Sequence, residues 1–411
     1  MIAELTVDLD AVRANAARLR ALIRPANLGA VVKADAYGHG LVPVARALET
    51  VADGFCVYRV DEGLALREAG VRAPILILGP VEIAGLAPAL DARLGIPLWD
   101  DAAFRRDLVR TARRAGTRFP VHAKIDTGVT RLGLDATRAG AVLASYLADD
   151  ALEVRGAYTH LAAAEELESG YTLAQFERFR AALEPVLGLL RERGARLHAA
   201  ASAASMLFPA LRLDLVRAGI ALYGIWPSDE TRDAAGSALE LEPALTWTTK
   251  LIVVREVEAG RAVGYGCTFH TERASRIGVL PIGYAEGLPR ALSNRGEALV
   301  CGHRVPIIGR VCMNMAFVDV TGVPDAHPGT RVTLIGRDGA ESIGANELAA
   351  RAGTIGYEIV ARLPRDIPRR YVEVAAPSGG PEAPGASGGQ TAPTPNGGLA
   401  AAALRGGLAG G

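Results

Sequence analysis

The run LGAVVKA at residues 28–34 decides the fold, because it is the first of eight short apolar segments of the same kind. Each has the length and composition of a buried strand, and most of the segments between them carry the apolar periodicity of helices. Eight strand and helix units in about 200 residues predict a (β/α)8 barrel. The predicted strands are 28–34, 54–60, 74–79, 95–99, 119–126, 154–161, 196–202 and 212–219.

The pattern changes after about residue 240. Strand-like runs punctuated by glycine and proline follow, and one helix is predicted at 344–353. The strand-like runs are 244–260, 275–283, 304–309, 315–323 and 331–336. We therefore predict a barrel domain over 1–235 and a mostly-β domain over 236–375. The remaining segment, 376–411, is dominated by Gly, Pro, Ala and Ser and is predicted to be a disordered tail.

The composition narrows the class of protein. The 411 residues carry 45 basic and 45 acidic side chains, and this balance argues against nucleic acid as the main partner, since binding phosphates needs a concentrated positive surface. The four cysteines form no CxxC pair, which is typical of a reducing compartment and predicts no zinc site. The acidic N-terminal segment is unlike a signal peptide, and no apolar run is long enough to span a membrane. We predict a cytoplasmic protein.

Ionisable residues lie at the carboxyl ends of five of the eight predicted barrel strands. They are Lys33, Lys124 with Asp126, His160, His198 with Ser202, and Arg217. The chemistry of (β/α)8 barrels takes place at the carboxyl ends of the strands, which all meet at one rim. Any one of these residues is compatible with a solvated strand end, but five at one rim predict an active site.

Lysine is rare in this chain, and its positions are informative. Lys33 and Lys124 both end predicted strands, and Lys250 is the only other lysine among 45 basic residues. A guanidinium stays protonated and is a poor nucleophile, whereas a primary amine can form an imine once burial lowers its pKa. The retained lysines therefore indicate that the amine itself is needed. Lys250 lies in an alternating strand without such a role, so lysine scarcity alone is not decisive.

A second feature, RAGIALYG at 217–224, points to a phosphate site. Gly219 and Ile220 follow the eighth strand, where barrels commonly bind phosphate through backbone N–H groups. Ser202 adds a hydroxyl donor at the end of the preceding strand. Gly219 is also compatible with a simple tight turn. An amine that faces a phosphate site predicts pyridoxal phosphate as the cofactor.

The stretch VVKADAYGHG (31–40) resembles the pyridoxal-phosphate lysine motif of the alanine racemase family. Eight further motifs continue the resemblance in the family's order over nearly the whole chain except the tail. They are KIDTGVTRLG (124–133), YTHLA (158–162), HAAASAA (198–204), VRAGIALYG (216–224), VGYG (263–266), PIGYAEG (281–287), GRVCMNM (309–315) and GYEI (356–359). The resemblance implies an enzyme that interconverts L-alanine and D-alanine and supplies D-alanine for peptidoglycan.

The resemblance also implies a two-base mechanism. Lys33 is expected to form an aldimine with pyridoxal phosphate and to handle the α-proton on the D face. Tyr265 is expected to be the base on the opposite face, which serves the L-enantiomer. Racemisation requires a base on each face, because one removes the proton and the other returns it. In this family the tyrosine enters from the partner subunit, so a head-to-tail homodimer with shared active sites is expected.

Further roles follow from the same resemblance. Arg217 is expected to bond the pyridine nitrogen and His160 to support that arginine. Arg131 is expected to contact the phenolic oxygen of the cofactor and the substrate carboxylate, and Lys124 to be carbamylated and to position Arg131. The backbone N–H of Met313, again from the partner, is expected to bind the carboxylate. The expected phosphate ligands are Tyr37, Ser202, Gly219, Ile220 and Tyr357.

Some alternatives stay open at this point. Ala201 and Asn314 depart from the asparagine and aspartate usual in the family, and no residue excludes serine as the substrate. A barrel-type pyridoxal-phosphate decarboxylase for basic amino acids usually pairs the pyridine nitrogen with an acid, so Arg217 and Tyr265 oppose that alternative. The β domain opposes a non-catalytic carrier of pyridoxal phosphate, which would have a single barrel.

Overall fold

The computed structural model of the chain describes residues 3–168 and 170–373. The tail predicted over 376–411 lies outside the described residues. No helix within the described part is long and apolar enough to cross a membrane.

The first part of the chain folds into a nearly closed parallel barrel, and the predicted (β/α)8 architecture is confirmed. The N-terminal strand β1 (Ala3–Asp8) precedes the barrel. The barrel strands, with a short strand β7 beside β6, are β2 (Asn27–Val31), β3 (Gly54–Val57), β4 (Ile75–Ile77), β5 (Leu94–Leu98), β6 (Phe119–Asp126), β7 (Leu134–Asp135), β8 (Leu152–Tyr158), β9 (Arg196–His198) and β10 (Leu215–Ala218). Their order is β10-β2-β3-β4-β5-β6-β8-β9, and a single parallel bridge between Ala201 and Arg217 brings the two ends of this order together.

Helices cover the outside of the barrel and alternate with its strands. They are α1 (Leu9–Ile23), α2 (Leu41–Leu48), α3 (Val60–Glu68), α4 (Ile83–Asp91), α5 (Ala102–Ala115), α6 (Ala139–Leu147), α7 (Tyr171–Leu183), α8 (Leu187–Glu192), α9 (Ser202–Leu207) and α10 (Asp229–Ala235). Asp8 caps α1, since its carboxylate accepts hydrogen bonds from the N–H groups of Asp10 and Ala11, both at 2.9 Å. A 3₁₀ turn at Glu184–Val186 separates α7 from α8, because Pro185 cannot donate a backbone hydrogen bond.

The second part of the chain forms a mostly-β domain, as predicted. Its strands are β11 (Leu245–Lys250), β12 (Val253–Val257), β13 (Ala262–Val263), β14 (Phe269–His270), β15 (Ser275–Leu280), β16 (Glu297–Val300), β17 (His303–Ile308), β18 (Ala316–Asp319), β19 (Arg331–Asp338), β20 (Glu341–Ile343) and β21 (Arg369–Val372). Its helices are α11 (Ala345–Ala352) and α12 (Gly356–Ala361). The main sheet runs β12-β15-β18-β17-β16-β19-β11-β1-β21, with β20 paired to β19, and β13 pairs with β14 separately.

Both ends of the described chain contribute strands to this main sheet. The N-terminal strand β1 lies between β11, to which it is antiparallel, and β21, to which it is parallel. The sequence-based prediction did not place any strand before residue 28. The pairing matters for the site, because β21 carries Arg369 to the loop that follows β2, where the side chain donates to the carbonyl of Gly38 at 2.9 Å.

Candidate active site

A cavity of about 600 Å³ lies at the carboxyl ends of the barrel strands. A pocket of this size with a few convergent polar groups is the usual form of a small-molecule site. Ten of the residues predicted from the sequence line it: Lys33, Tyr37, Lys124, Arg131, His160, Ser202, Arg217, Gly219, Ile220 and Tyr357.

Four cations line this cavity without forming an ion pair, although Glu165 and Glu166 also lie in its wall. The four cations are Lys33, Lys124, Arg131 and Arg217, and none has a carboxylate within 4.0 Å among residues 3–168 and 170–373. Lys124 is only 5% exposed and Arg217 only 3%. Burying a charge without a partner is costly. The arrangement therefore fits a ligand that brings more than one negative charge.

The two cavity lysines have lowered pKa values. Burial is the main cause for Lys33, and the positive charge of Arg131 adds to it. Burial, again with the charge of Arg131 and then of Arg217, lowers the pKa of Lys124 to about 8. A lower pKa increases the fraction of neutral amine near neutral pH, and the neutral amine is the nucleophile. Both amines are therefore suited to covalent chemistry that arginine cannot perform.

The guanidinium of Arg217 is fixed by neutral acceptors. Its Nη1 is 2.7 Å from Nδ1 of His198, and its Nη2 donates to the carbonyls of Thr159 at 2.7 Å and Ala199 at 3.1 Å. The same guanidinium carbon lies 5.0 Å from the ring centroid of Tyr158. The surrounding groups thus hold Arg217 in one orientation while leaving its charge uncompensated.

The histidine that contacts Arg217 is His198, whereas the sequence-based expectation was His160. His198 in turn bonds His122, with 3.0 Å between Nε2 and Nδ1. Burial, together with nearby arginines, lowers the pKa of His122 to about 3 and that of His198 well below its ordinary value, so both rings are neutral. The ring of His160 borders the cavity, but no hydrogen bond joins it to Arg217. The contact with Arg217 that was expected of His160 is therefore made by His198.

Tyr158 is a site residue that sequence reasoning missed. Its ring stacks on His198 at 4.8 Å with an interplanar angle of 5°, and Nζ of Lys124 lies 5.9 Å from its centroid. Its hydroxyl is buried without a hydrogen-bond partner among the described residues. Side chains two residues apart on a strand lie on the same face. Since His160 was predicted to lie at the rim, Tyr158 could have been predicted on the same face of that strand.

The loop that presents Arg131 is organised by Asp126. Its carboxylate accepts hydrogen bonds from four successive N–H groups, those of residues 128–131, at 2.9 to 3.1 Å. Burial alone would raise the pKa of Asp126, but these backbone donors outweigh it and lower the pKa from its ordinary value of 3.8. Asp126 therefore organises the loop; its charge partly offsets the lowering of the Lys124 pKa, but it forms no ion pair with Lys124.

Replacing Asp126 with alanine is expected to loosen this loop. The partly exposed site limits the loss of unfolding free energy to about 1 kcal/mol, while the KM for substrate rises because Arg131 is no longer held. Folding lowers the pKa of the Asp126 carboxyl. Its contribution to the free energy of unfolding is therefore fully present above the ordinary pKa of 3.8, and it is lost as the pH falls through the lower pKa of the folded protein. Urea unfolding and steady-state kinetics measure both effects.

Asp135→Ala is the matched control for this prediction. The Asp135 carboxylate accepts from the backbone N–H of Thr137 at 2.8 Å on an exposed segment outside the cavity wall. Its removal is expected to leave KM unchanged. An Asp126→Ala variant whose KM equals that of Asp135→Ala would contradict the role given to Asp126.

Hydroxyl groups line the cavity around Gly219. The N–H of Gly219 donates to Oγ of Ser202 at 2.9 Å, so the hydroxyl proton of the serine stays available to an anion. A Cβ at position 219 would lie only 2.7 Å from the hydroxyl oxygen of Tyr37. The hydroxyl of Tyr357 donates to Oε1 of Glu165 at 3.3 Å. Glycine at 219 therefore keeps open a space bordered by three hydroxyl groups.

Two predicted residues are not part of this cavity. Tyr265 and Met313 lie in the β domain with 73% and 56% of their surface exposed, and neither lines the cavity of its own chain. The pocket of a single chain thus holds the amine of Lys33 but not the second expected base.

The fold and the pocket define a class of protein. A (β/α)8 barrel with amines of lowered pKa among unpaired cations at its strand ends, joined to a β domain, is a barrel enzyme built for amine chemistry on an anionic ligand. Residues 7–227 match the family model described as the N-terminal domain of alanine racemase, and residues 244–371 match the model of its C-terminal domain.

Individual relatives agree with these family models. The chain is 44% identical over 368 residues to an alanine racemase of Symbiobacterium thermophilum, covering 89% of this chain and 96% of that protein. The alanine racemase from D-cycloserine producing Streptomyces lavendulae superimposes with a TM-score of 0.83 at 32% identity, covering 91% of this chain and 98% of that one. The Bacillus anthracis alanine racemase, solved with bound L-Ala-P, superimposes with a TM-score of 0.79 at 36% identity, covering 90% and 95%. The chain belongs to the alanine racemase family and is an isomerase, as its motifs predicted.

Proposed function

We propose that this chain interconverts L-alanine and D-alanine with pyridoxal phosphate as its cofactor and Lys33 and Tyr265 as its two bases. The observation that carries the proposal is the set of four unpaired cations around a cavity that contains the Lys33 amine. The phosphate of the cofactor and the carboxylate of an amino acid would together supply the missing negative charge. The Bacillus anthracis relative with bound L-Ala-P supports a small amino acid as the substrate.

The residues present fit pyridoxal phosphate. Lys33 supplies a primary amine for its aldehyde, and Arg217 supplies a fixed hydrogen-bond donor for its ring nitrogen. Tyr37, Ser202 and Tyr357 supply hydroxyl groups for its phosphate, around the space that Gly219 leaves open, with the N–H of Ile220 beside them. When bound, the cofactor withdraws electrons from the substrate Cα and makes the α-proton acidic.

The side chains of the chain divide the remaining work. Arg131 attracts and orients the substrate carboxylate through its unpaired guanidinium. The amine of Lys33 removes or returns the α-proton on one face, and the phenol of Tyr265 does so on the other. Arg217 donates a hydrogen bond but keeps its proton, because a guanidinium remains protonated in proteins. Arg217 therefore restrains electron withdrawal by the ring, which favours return of the proton to Cα over side reactions.

The second base requires a second copy of the chain. Tyr265, Tyr284, Met313 and Met315 are exposed large side chains of the β domain, and clusters of exposed apolar side chains mark interaction sites. We infer a head-to-tail homodimer in which each β domain supplies Tyr265 and the N–H of Met313 to the cavity of the other copy. The absence of Tyr265 from the cavity of its own chain supports this arrangement.

Lys124 is expected to carry a carbamate. A carbamate forms on a neutral amine, and the pKa of about 8 makes that form available. The resulting anion would neutralise part of the excess positive charge and pair with Arg131. Incubation with ¹³C-labelled bicarbonate is expected to give a carbamate carbon signal by NMR. The signal should be absent from Lys124→Arg and unchanged in Lys250→Arg, whereas a signal retained in Lys124→Arg would place the carbamate elsewhere.

The function is tested with the purified chain, pyridoxal phosphate and several L-amino acids. Formation of D-alanine from L-alanine, followed by chiral chromatography, supports the proposal. Turnover of L-serine in preference to L-alanine would redirect it to a serine racemase, and release of CO2 from L-lysine or L-arginine would redirect it to a decarboxylase. Restored growth of a bacterial host that requires D-alanine would support supply of D-alanine for peptidoglycan in the cytoplasm.

A further inference from the structure

The turn that follows β2 is left-handed. Its four residues, Ala34–Tyr37, have φ between +52° and +56°, and none is glycine. In this conformation the Cβ of an L-residue comes too close to the following carbonyl oxygen, so single glycine or asparagine residues are its usual occupants. A run of four persists only where the surroundings hold it, and such strain collects at functional sites.

This turn sets the position of two cavity groups. Lys33 immediately precedes it and Tyr37 is its last residue, and both line the cavity. Relaxation of the turn to ordinary backbone angles would swing the amine and the phenol away from their present positions. The contacts that hold the turn therefore bear on the reaction.

Arg369 of β21 holds the far end of the turn. Its Nε donates to the carbonyl of Gly38 at 2.9 Å, and its Nη2 lies 3.8 Å from Oδ2 of Asp35. The guanidinium also donates to the carbonyls of the segment before β21, at residues 363, 364, 365 and 367, over 3.0 to 3.4 Å. Its side chain is 7% exposed. Arg369 thus bridges the C-terminal segment and the turn.

Glu62 and His39 hold the rest of the turn. Oε1 of Glu62 accepts from the N–H of Ala34 at 2.7 Å, and its Oε2 accepts from two N–H groups of the loop before α3. Nδ1 of His39 lies 3.1 Å from the carbonyl oxygen of Ala36 and 2.9 Å from that of Tyr37. These contacts come from His39, which follows the turn in sequence, and from Glu62 in the helix α3 after the neighbouring strand. Of these three side chains, that of Arg369 links the turn to the C-terminal strand.

We propose that Arg369 is a positioning residue for Lys33, which holds the left-handed turn and so keeps the amine in place from the C-terminal strand. Arg369 does not line the cavity and acts only through the turn. The proposal deepens the proposed function and rests on it for its effect on the reaction. Its effect on Lys33 itself can be measured without any racemase activity.

The test compares Arg369→Met with Arg370→Met. Arg370 is the next residue on β21, but it bonds Glu4 and Thr6 on the surface and does not contact the turn. The cofactor-free proteins are labelled with limiting acetic anhydride from pH 6 to 11, and the three lysines are quantified by mass spectrometry. Lys250 is exposed and serves as the internal reference.

The labelling profile of Lys33 is expected to move to higher pH in Arg369→Met. The turn then relaxes and admits water to the amine of Lys33. Because burial is the main cause of the lowered pKa of Lys33, this hydration raises the pKa. The other titratable groups that act on this amine are Arg131, Glu62 and Cys56. The profiles of Lys250, and of Lys33 in Arg370→Met, should not move. The reconstituted Arg369→Met enzyme is expected to lose about 10- to 100-fold in kcat/KM, the effect of misplacing a reacting group. An unmoved Lys33 profile in Arg369→Met would overturn the proposal.

A double variant separates strain from general damage. Glycine tolerates the left-handed region, so Ala36→Gly should lessen the need for Arg369. In the Arg369→Met background this change is expected to return the Lys33 profile toward that of the wild type, and failure to do so would overturn the proposal. If Arg369→Met does not fold, Arg369→Lys is measured in the same way and should give a smaller shift. A wild-type chain that does not racemise would refute the proposed function but leave the labelling result intact.

Discussion

Replacing Lys33 with arginine is expected to abolish racemisation and covalent capture of pyridoxal phosphate together. Arginine keeps the positive charge and most of the volume but has no nucleophilic amine at neutral pH. Loss of a residue that acts both as covalent anchor and as base is expected to lower kcat by about 10⁴-fold or more. The visible absorbance of the bound cofactor and the protein mass after borohydride reduction measure the capture directly.

Two control variants define this result. Lys250→Arg removes the third lysine, which lies exposed on β11, and should leave both capture and rate unchanged. Lys124→Arg should retain capture even though its rate falls, because Lys124 is not expected to bond the cofactor. Capture that survives in Lys33→Arg would contradict the assignment of the cofactor to this lysine.

Replacing Tyr265 with phenylalanine is expected to remove one of the two bases and leave the other. Racemisation should fall by about 10²- to 10⁴-fold, the usual contribution of a general acid or base. Exchange of the α-hydrogen of D-alanine with solvent should persist, because Lys33 serves that face, while exchange from L-alanine should be lost. NMR of each enantiomer in D2O distinguishes the two. Equal loss from both enantiomers would contradict the division of the faces between Lys33 and Tyr265.

Mixing the two inactive variants tests where Tyr265 acts. In a head-to-tail dimer of Lys33→Arg with Tyr265→Phe, one of the two sites combines an intact Lys33 with an intact Tyr265 from the other copy. Random exchange makes half of the dimers hybrid, so about a quarter of the wild-type activity is expected to return. If Tyr265 acted within its own chain, no activity would return.

The barrel could be predicted from the sequence because its strands are buried on both faces. Such strands are continuous apolar runs, and 28–32 and 75–78 show this clearly. The pairing of β1 with β21 could not be predicted in the same way, since it joins the two ends of the described chain. No local pattern records which distant strand completes a sheet.

The site could be predicted only where a residue type carries the chemistry by itself. Lys33, Lys124 and Arg217, all at the ends of predicted barrel strands, were enough to indicate a pocket lined by cations. The contact between His198 and Arg217 could not be predicted, because His160 and His198 both end predicted strands and only side-chain packing decides which ring meets Arg217. Glu62 and Arg369 were missed for a similar reason, since they act on backbone groups far from them in sequence.

The most direct test of the account is incubation of the purified chain with pyridoxal phosphate and L-alanine in D2O. The account predicts D-alanine that carries deuterium at Cα, because the proton leaves on one face and a solvent-derived deuteron arrives on the other. Deuterium in L-alanine without any D-alanine would mean that a single base works and that the two-base mechanism is wrong. No exchange and no inversion, with the cofactor bound to Lys33, would contradict alanine racemisation as the function of this chain.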